Sequence, residues 1–366
     1  MKKQSLFLLL MVFILFGCEL KKEAGELPLL GREPIYKRTA LSDIYPLSSK
    51  GNYMEVLDWL NDEQILYLVE ENGMSCINVF HLFSGKTERL FSTTETIVEI
   101  DVHENKSLIA LSTFDDESRT SIYVLNQNGK ALFELRNLSG DVVFYWNYYD
   151  DNQLLFVTYL PNWEFELHHL SIKEGKVQKL PIQQPYVQWI DEQTIAYIKW
   201  DSDEPSIDAP LMFYHLQTGE ENLFMENAIA FFTFPNEMLV VLLVNSLADT
   251  KTTYSFFLKK QKTTETYVPV LDTFSEQWWV PYYDYDEQEA FFVFFRPKQS
   301  CAFIDYQEPF ELVRFDVRSG KEQVLMELDE NLPIKLSPNG KYLLYGQRLE
   351  TFIDIETKEK VSLIEQ

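Results

Sequence analysis

Ile77-Asn78-Val79-Phe80-His81-Leu82-Phe83-Ser84-Gly85-Lys86 decides the fold. A short apolar run with aromatic and β-branched members ends in a glycine turn, which is the signature of a strand entering a hairpin. The same unit returns as Ser121–Leu125 before Asn128-Gly129-Lys130, Leu211–Leu216 before Thr218-Gly219-Glu220, and Leu312–Val317 before Ser319-Gly320-Lys321. Glu174-Gly175-Lys176 is a further member. The first four glycines stand 44, 46 and 44 residues apart, and the gap from Gly219 to Gly320 is 101, about two periods. Lys259-Lys260-Gln261-Lys262 fills that gap without a glycine, and Thr357-Lys358-Glu359 follows near the end.

A second turn runs at a matching period. It starts at Asn61, Glu104, Asp150, Asp191, Pro235, Asp286 and Ser337, and a very apolar segment follows each time. Two turns per unit imply about four short strands in 41 to 51 residues. That is the blade of a β-propeller, in which radial stacking covers faces that a lone blade exposes. The aromatic load, 27 Phe, 20 Tyr and 7 Trp, suits such stacking. No helical period is sustained, and a β-sandwich would not repeat at this spacing. The fold class is therefore all-β, a single propeller, with seven turns giving seven blades.

The N-terminus carries an address. Met1-Lys2-Lys3 precedes an apolar block, Leu6 to Phe16, too short to span a bilayer and suited to an export signal. Leu15-Phe16-Gly17-Cys18 then resembles the lipobox of bacterial lipoproteins. That resemblance implies lipidation of Cys18, which becomes the new N-terminus on the outer face of a membrane. The expected organisation is a signal peptide at 1–17, a lipid-anchored tether at 18–34 and the propeller at 35–366.

Ser337-Pro338-Asn339-Gly340-Lys341 resembles the Ser-Pro-Asp-Gly-Lys turn of TolB-like propeller repeats, with Asn in place of Asp. Together with the lipobox, length and strand spacing, this makes the chain similar to the YqgU-like lipoprotein family of Gram-positive bacteria. The family is described as six-bladed, so six blades stay open if one unit is split or incomplete; seven is the expectation. The resemblance brings no activity and no catalytic residues.

Charge narrows the partners. The formal net charge is −25, and loss of residues 1–17 makes it −27. Phosphate backbones and anionic lipids both select basic patches, so nucleic acid is excluded and the lipid must hold the membrane. No Gly-x-Ser-x-Gly elbow, phosphate loop, His-x-x-x-His or Cys-x-x-Cys occurs, so no catalytic residue, metal or cofactor is expected. The histidines, His81, His103, His168, His169 and His215, read as surface or strand-end positions. Cys76 and Cys301 lie far apart in apolar surroundings and read as separate thiols rather than a disulfide.

Two binding candidates stand out. The loop Trp200–Pro210 interrupts a repeat and carries Asp201, Asp203, Glu204 and Asp208. It joins a second strand to a third, so it should project opposite the turns. Trp278 and Trp279 open an aromatic stretch that could reach the rim for stacking, inter-blade packing being the plainer use. Other acid clusters, including Asp284-Tyr-Asp286-Glu287, read as solvated loops. The leading expectation is a non-enzymatic binding or scaffolding module that contacts envelope protein or polymer. The alternative is a polysaccharide-active enzyme with a carboxylate pair in the propeller channel.

Overall fold

Seven antiparallel four-stranded sheets dominate the described part of the chain, their strands consecutive in sequence except in the sixth, where Cys301–Ala302 comes between the second and third. The computed structural model describes residues 43–48, 54–160, 164–201, 206–244, 246, 249–272 and 279–364. The blades span 54–93, 96–138, 141–179, 188–228, 230–269, 283–328 and 334–362. Each is a meander, so nearly every strand pairs with its neighbour in sequence. The exception is a two-residue parallel pairing of Leu271–Asp272 with Cys301–Ala302, which the sequence pattern does not announce.

Every turn expected between first and second strands is found there, and so is every turn between third and fourth. Within a blade the two turns touch. Leu82 N donates to Glu63 O (2.9 Å), Ile172 N to Asn152 O (2.9 Å) and Leu216 N to Gln193 O (2.9 Å). Turns of neighbouring blades also touch: Asn105 Nδ2 donates to Asp151 Oδ2 (2.8 Å) and Asn339 N to Asp62 Oδ1 (2.9 Å). All these turns therefore share one face. Strand Thr194–Ile198 ends, and strand Ala209–His215 begins, at the opposite face.

Burial follows strand order. Second strands such as Gln153–Tyr159 are buried almost throughout, whereas fourth strands such as Lys86–Thr93 are mostly exposed. Both faces of a middle strand meet a neighbouring blade, so alternation gives way to continuous apolar runs. Seven separate clusters result, one per junction. Leu66, Ile77, Ile109 and Tyr123 fill the first junction; Phe232, Phe256, Phe292 and Phe315 fill the fifth. The seventh closes the circle, with Trp59 and Val69 of blade 1 against Leu344 and Phe352 of blade 7. Leu47 joins this seam, donating its N–H to Leu363 O (2.5 Å).

The 259–260 turn shows what glycine normally supplies. Lys259 and Lys260 take φ of 49° and 65°, the same left-handed region as Gly129 at 73°. At Gly129 space matters as well. A Cβ there would lie 1.9 Å from Leu90 O, whereas one at Gly175 (φ 61°) meets nothing within 4 Å. Gly175→Ala should thus cost only the strain of the backbone, about 1 kcal/mol, and Gly129→Ala about 2 kcal/mol or more. Urea denaturation of the two variants side by side checks the difference.

One sequence expectation fails. Asp284 and Asp286 are not in a solvated loop but on the first strand of blade 6, Tyr283–Asp286, because the turn begins one residue later. Asp286 is buried and faces Arg314 at 3.7 Å.

Candidate functional site

The first strands of blades 2 to 7 line the central channel, and the end of the first strand is built alike in several blades. Trp59, Trp146 and Trp189 each occupy the same place, buried between blades. Each indole N–H donates to the first strand of the preceding blade: to Lys335 O (2.9 Å), Asp101 O (3.2 Å) and Tyr145 O (3.0 Å). The residue one step before this place alternates away from the core. Read blade by blade it is Asp58, Asp101, Tyr145, Gln188, Thr233, Asp284 and Lys335. All but Asp58 line one cavity of about 580 Å³, together with Tyr148, Tyr283 and Glu104. That volume suits a small organic ligand.

This ring has two arcs. Blades 6, 7, 1 and 2 supply Asp284, Lys335, Asp58 and Asp101. Asp58 is buried and receives Lys106 Nζ at 3.0 Å and Lys335 Nζ at 3.7 Å, while its Oδ1 accepts Trp59 N (2.6 Å). Burial opposes its ionisation, but the two lysines outweigh burial and hold the carboxyl below its usual range. Asp284 accepts two backbone N–H groups, Leu336 N at 2.6 Å and Tyr285 N at 2.8 Å. Burial still dominates there and lifts it to about 6. At Asp101 burial outweighs the pull of Lys335 and, with Glu99 and Asp58 adding repulsion, lifts the carboxyl to about 7. Lys335 is pushed above the ordinary lysine value, Asp58 first among the causes.

Blades 3 to 5 supply the neutral arc. Gln188 Oε1 accepts both Thr233 N (2.7 Å) and Thr233 Oγ1 (3.0 Å). Tyr145 OH donates to Pro185 O (3.0 Å), and burial raises the Tyr145, Tyr148 and Tyr283 phenols well above their usual range. Tyr149 spans the front of blade 4. Its hydroxyl donates to Phe234 O (3.1 Å) and accepts Glu237 N (3.1 Å), tying the blade 3 turn to the blade 5 turn.

An Asp101 carboxyl lifted to about 7 makes stability depend on pH. The unfolded chain gives up this proton near the ordinary carboxylate value, while the folded chain keeps it. Stability therefore falls as pH rises from about 4 to about 7. Asp101→Asn removes that loss. Its stabilisation should be near zero at about pH 4 and about 1–2 kcal/mol at about pH 8, after discounting for the open channel. Thermal unfolding across pH measures it; an equal effect at both ends would contradict it.

The positions singled out in the sequence fall as follows. Cys18, Asp203, Glu204 and Trp278 lie outside the described residues. Asp201 is exposed and Asp208 half-buried at the two described ends of the acidic loop. Gln184 Nε2 donates to Trp200 O (2.9 Å) at the start of that loop. Trp279 is half-buried, stacked on Phe310 (centroids 5.5 Å apart) and near Phe303 (6.0 Å). Cys76 is buried and Cys301 half-buried, and they are not joined in a disulfide. His168 stacks on Phe156 (4.9 Å), while His169 points the other way to Gln153 Oε1 (2.5 Å). His103 is at a strand end, as expected of one class of these histidines, and is buried there against Trp146.

Sequence reading missed the ring itself. Its signal was the period: positions 58, 101, 145, 188, 233, 284 and 335 stand two to five residues before each first turn.

Comparisons with known proteins follow the same lines. The chain is 29% identical over 330 residues to the uncharacterised lipoprotein YqgU of Bacillus subtilis (strain 168), covering 88% of this chain and 87% of the relative. A crystal structure of an uncharacterised Listeria monocytogenes EGD-e protein matches with a TM-score of 0.81 at 22% identity, over 88% of this chain and 98% of that one. An oligogalacturonate lyase from Vibrio parahaemolyticus matches with a TM-score of 0.56 at 11% identity, over 85% and 89%, a likeness of fold alone. The family model described as a YqgU-like 6-bladed beta propeller domain matches residues 81–346. That span holds blades 2 to 6 complete and only parts of the first and seventh, whereas the whole chain has seven four-stranded sheets. The chain belongs to the YqgU-like β-propeller family.

Proposed function

We propose that this protein is a membrane-tethered lipoprotein whose propeller binds a ligand in its central channel. One observation carries the reading: a cavity of about 580 Å³ lined by charged, hydroxyl-bearing and aromatic side chains on six of the seven blades. A pore filled with apolar side chains would serve the fold as well, so polar groups there point to use. The tether rests on the lipobox ending at Cys18 and on the lipoprotein relative. Residues 1–17 are removed, 18–34 span from lipid to propeller, and the domain from 35 works on the outer face of the membrane. The acidic loop with Asp201, Asp203, Glu204 and Asp208, and the aromatic pair Trp278 and Trp279, supply further contacts to an envelope protein or polymer. No helix of the described residues is long and apolar enough to cross a membrane.

Cells labelled with a palmitate analogue should tag the wild type and not Cys18→Ser, and that variant should leave the membrane fraction. If its membrane fraction is unchanged, the anchor is wrong.

A second reading has its own support. Asp101 and Asp284 line one cavity with carboxyls lifted to about 7 and about 6, the range in which a carboxylic acid can act as general acid. Cleavage of an envelope polysaccharide that disappears in Asp101→Asn and Asp284→Asn would favour this enzyme. Envelope polymers left intact by the wild type would leave the binding module.

A further inference from the structure

The charged arc of the channel is short of positive charge. Lys106 and Lys335 both turn to Asp58. Asp284 is met by backbone N–H groups. Among the described residues the Asp101 carboxyl has no hydrogen bond or ion pair; Lys335 and Lys106 pull on it and the acids Glu99 and Asp58 repel it. Beside this arc stand the rings of Tyr145, Tyr148 and Tyr283, whose faces attract cations. Among the described residues no three His, Cys, Asp or Glu side chains come together as metal ligands, so the fitting cation carries its own N–H donors. A net charge of −25 draws cations toward the protein as a whole.

We infer that the channel cavity takes a small ligand bearing a protonated amine, its ammonium directed at Asp101 and its body against the tyrosines and the Gln188–Thr233 arc. This rests on the reading that the channel is the ligand site. A bound ammonium favours the ionised carboxyl, so binding releases a proton from Asp101 near neutral pH. The groups that set its titration are Glu99 on its own strand, Asp58 and Lys335 from blades 1 and 7, and Lys106 from the following turn. For an amine that stays protonated throughout, such as 1,5-diaminopentane, affinity should therefore rise from about pH 6 to about pH 8.

Calorimetry on the whole protein tests this with glucosamine and 1,5-diaminopentane, against N-acetylglucosamine, glucose and glucuronate. At least one amine should bind, about tenfold more tightly than the uncharged and acidic probes. Heats in two buffers of different ionisation enthalpy should show proton release. Asp101→Asn should weaken the amine about tenfold while keeping its circular dichroism spectrum. No amine binding below about 10 mM overturns the inference. So does an uncharged or acidic probe that binds as well as the amines; if Asp101→Asn also abolishes that binding, the channel survives as the site. Binding that survives Asp101→Asn, Asp284→Asn and Tyr148→Ala together overturns the channel reading itself.

Discussion

Phe292→Ala is expected to lower stability by about 3–5 kcal/mol, the usual range for emptying a buried aromatic position. Phe292 has no exposed surface and sits at the centre of the junction between blades 5 and 6. Its ring lies 5.4 Å from Phe294, 5.5 Å from both Phe256 and Tyr283, 5.9 Å from Phe234 and 6.4 Å from Tyr254. These neighbours come from both blades, so neither blade can close the gap without moving away from the other. Phe303, which is 47% exposed, is the control: its replacement by alanine should cost under about 1 kcal/mol. Urea denaturation of both variants gives the comparison. A cost for Phe292→Ala no larger than the control's would mean that the junction is not packed as described.

Asp58→Asn should cost about 3 kcal/mol at neutral pH, because it leaves two lysines without their shared carboxylate. The Asp58 side chain is 5% exposed and that of Lys106 16%, so water replaces little of the attraction to Lys106, whereas Lys335, 43% exposed, is partly solvated. The effect has a definite pH dependence. The Asp58 carboxyl lies below its ordinary value in the folded chain, so its contribution is complete above about pH 4 and fades as pH falls through the lowered value. Wild type and variant should therefore converge in acid, the opposite trend to Asp101→Asn. Asp58 holds the ring together, whereas Asp101 strains it. A loss under about 1 kcal/mol at neutral pH would show that the lysines find other partners.

The scaffold was legible in the sequence because its connections are local. A turn needs a left-handed residue at one position, and the Gly85, Gly129, Gly175, Gly219 and Gly320 turns display it directly. Even the glycine-free turn at Lys259 and Lys260 could be placed, since the period demanded one there. Seven periods then gave seven blades, and meander topology put the turns on one face. The channel was not legible for the converse reason. Each blade contributes a single residue to the ring, and consecutive members stand 43 to 51 positions apart. Asp284 looked like part of a surface acid cluster because its burial is imposed by blades distant in sequence. Asp58 and Lys335 meet only because the circle closes, 277 residues apart. The match of turn period and ring period was visible, but which residue of each strand faces the axis depends on the tertiary twist.

The Asp101 and Asp284 carboxyls are lifted toward neutrality although Lys335 lines the same cavity, and carboxyl titration reads this most directly. Carbon-13 NMR of the protein labelled at the aspartate carboxyls should give one resonance with a midpoint at about 7 and another at about 6. The first should vanish in Asp101→Asn and the second in Asp284→Asn. Every aspartate titrating below about 5, in the ordinary carboxylate range, would contradict the account.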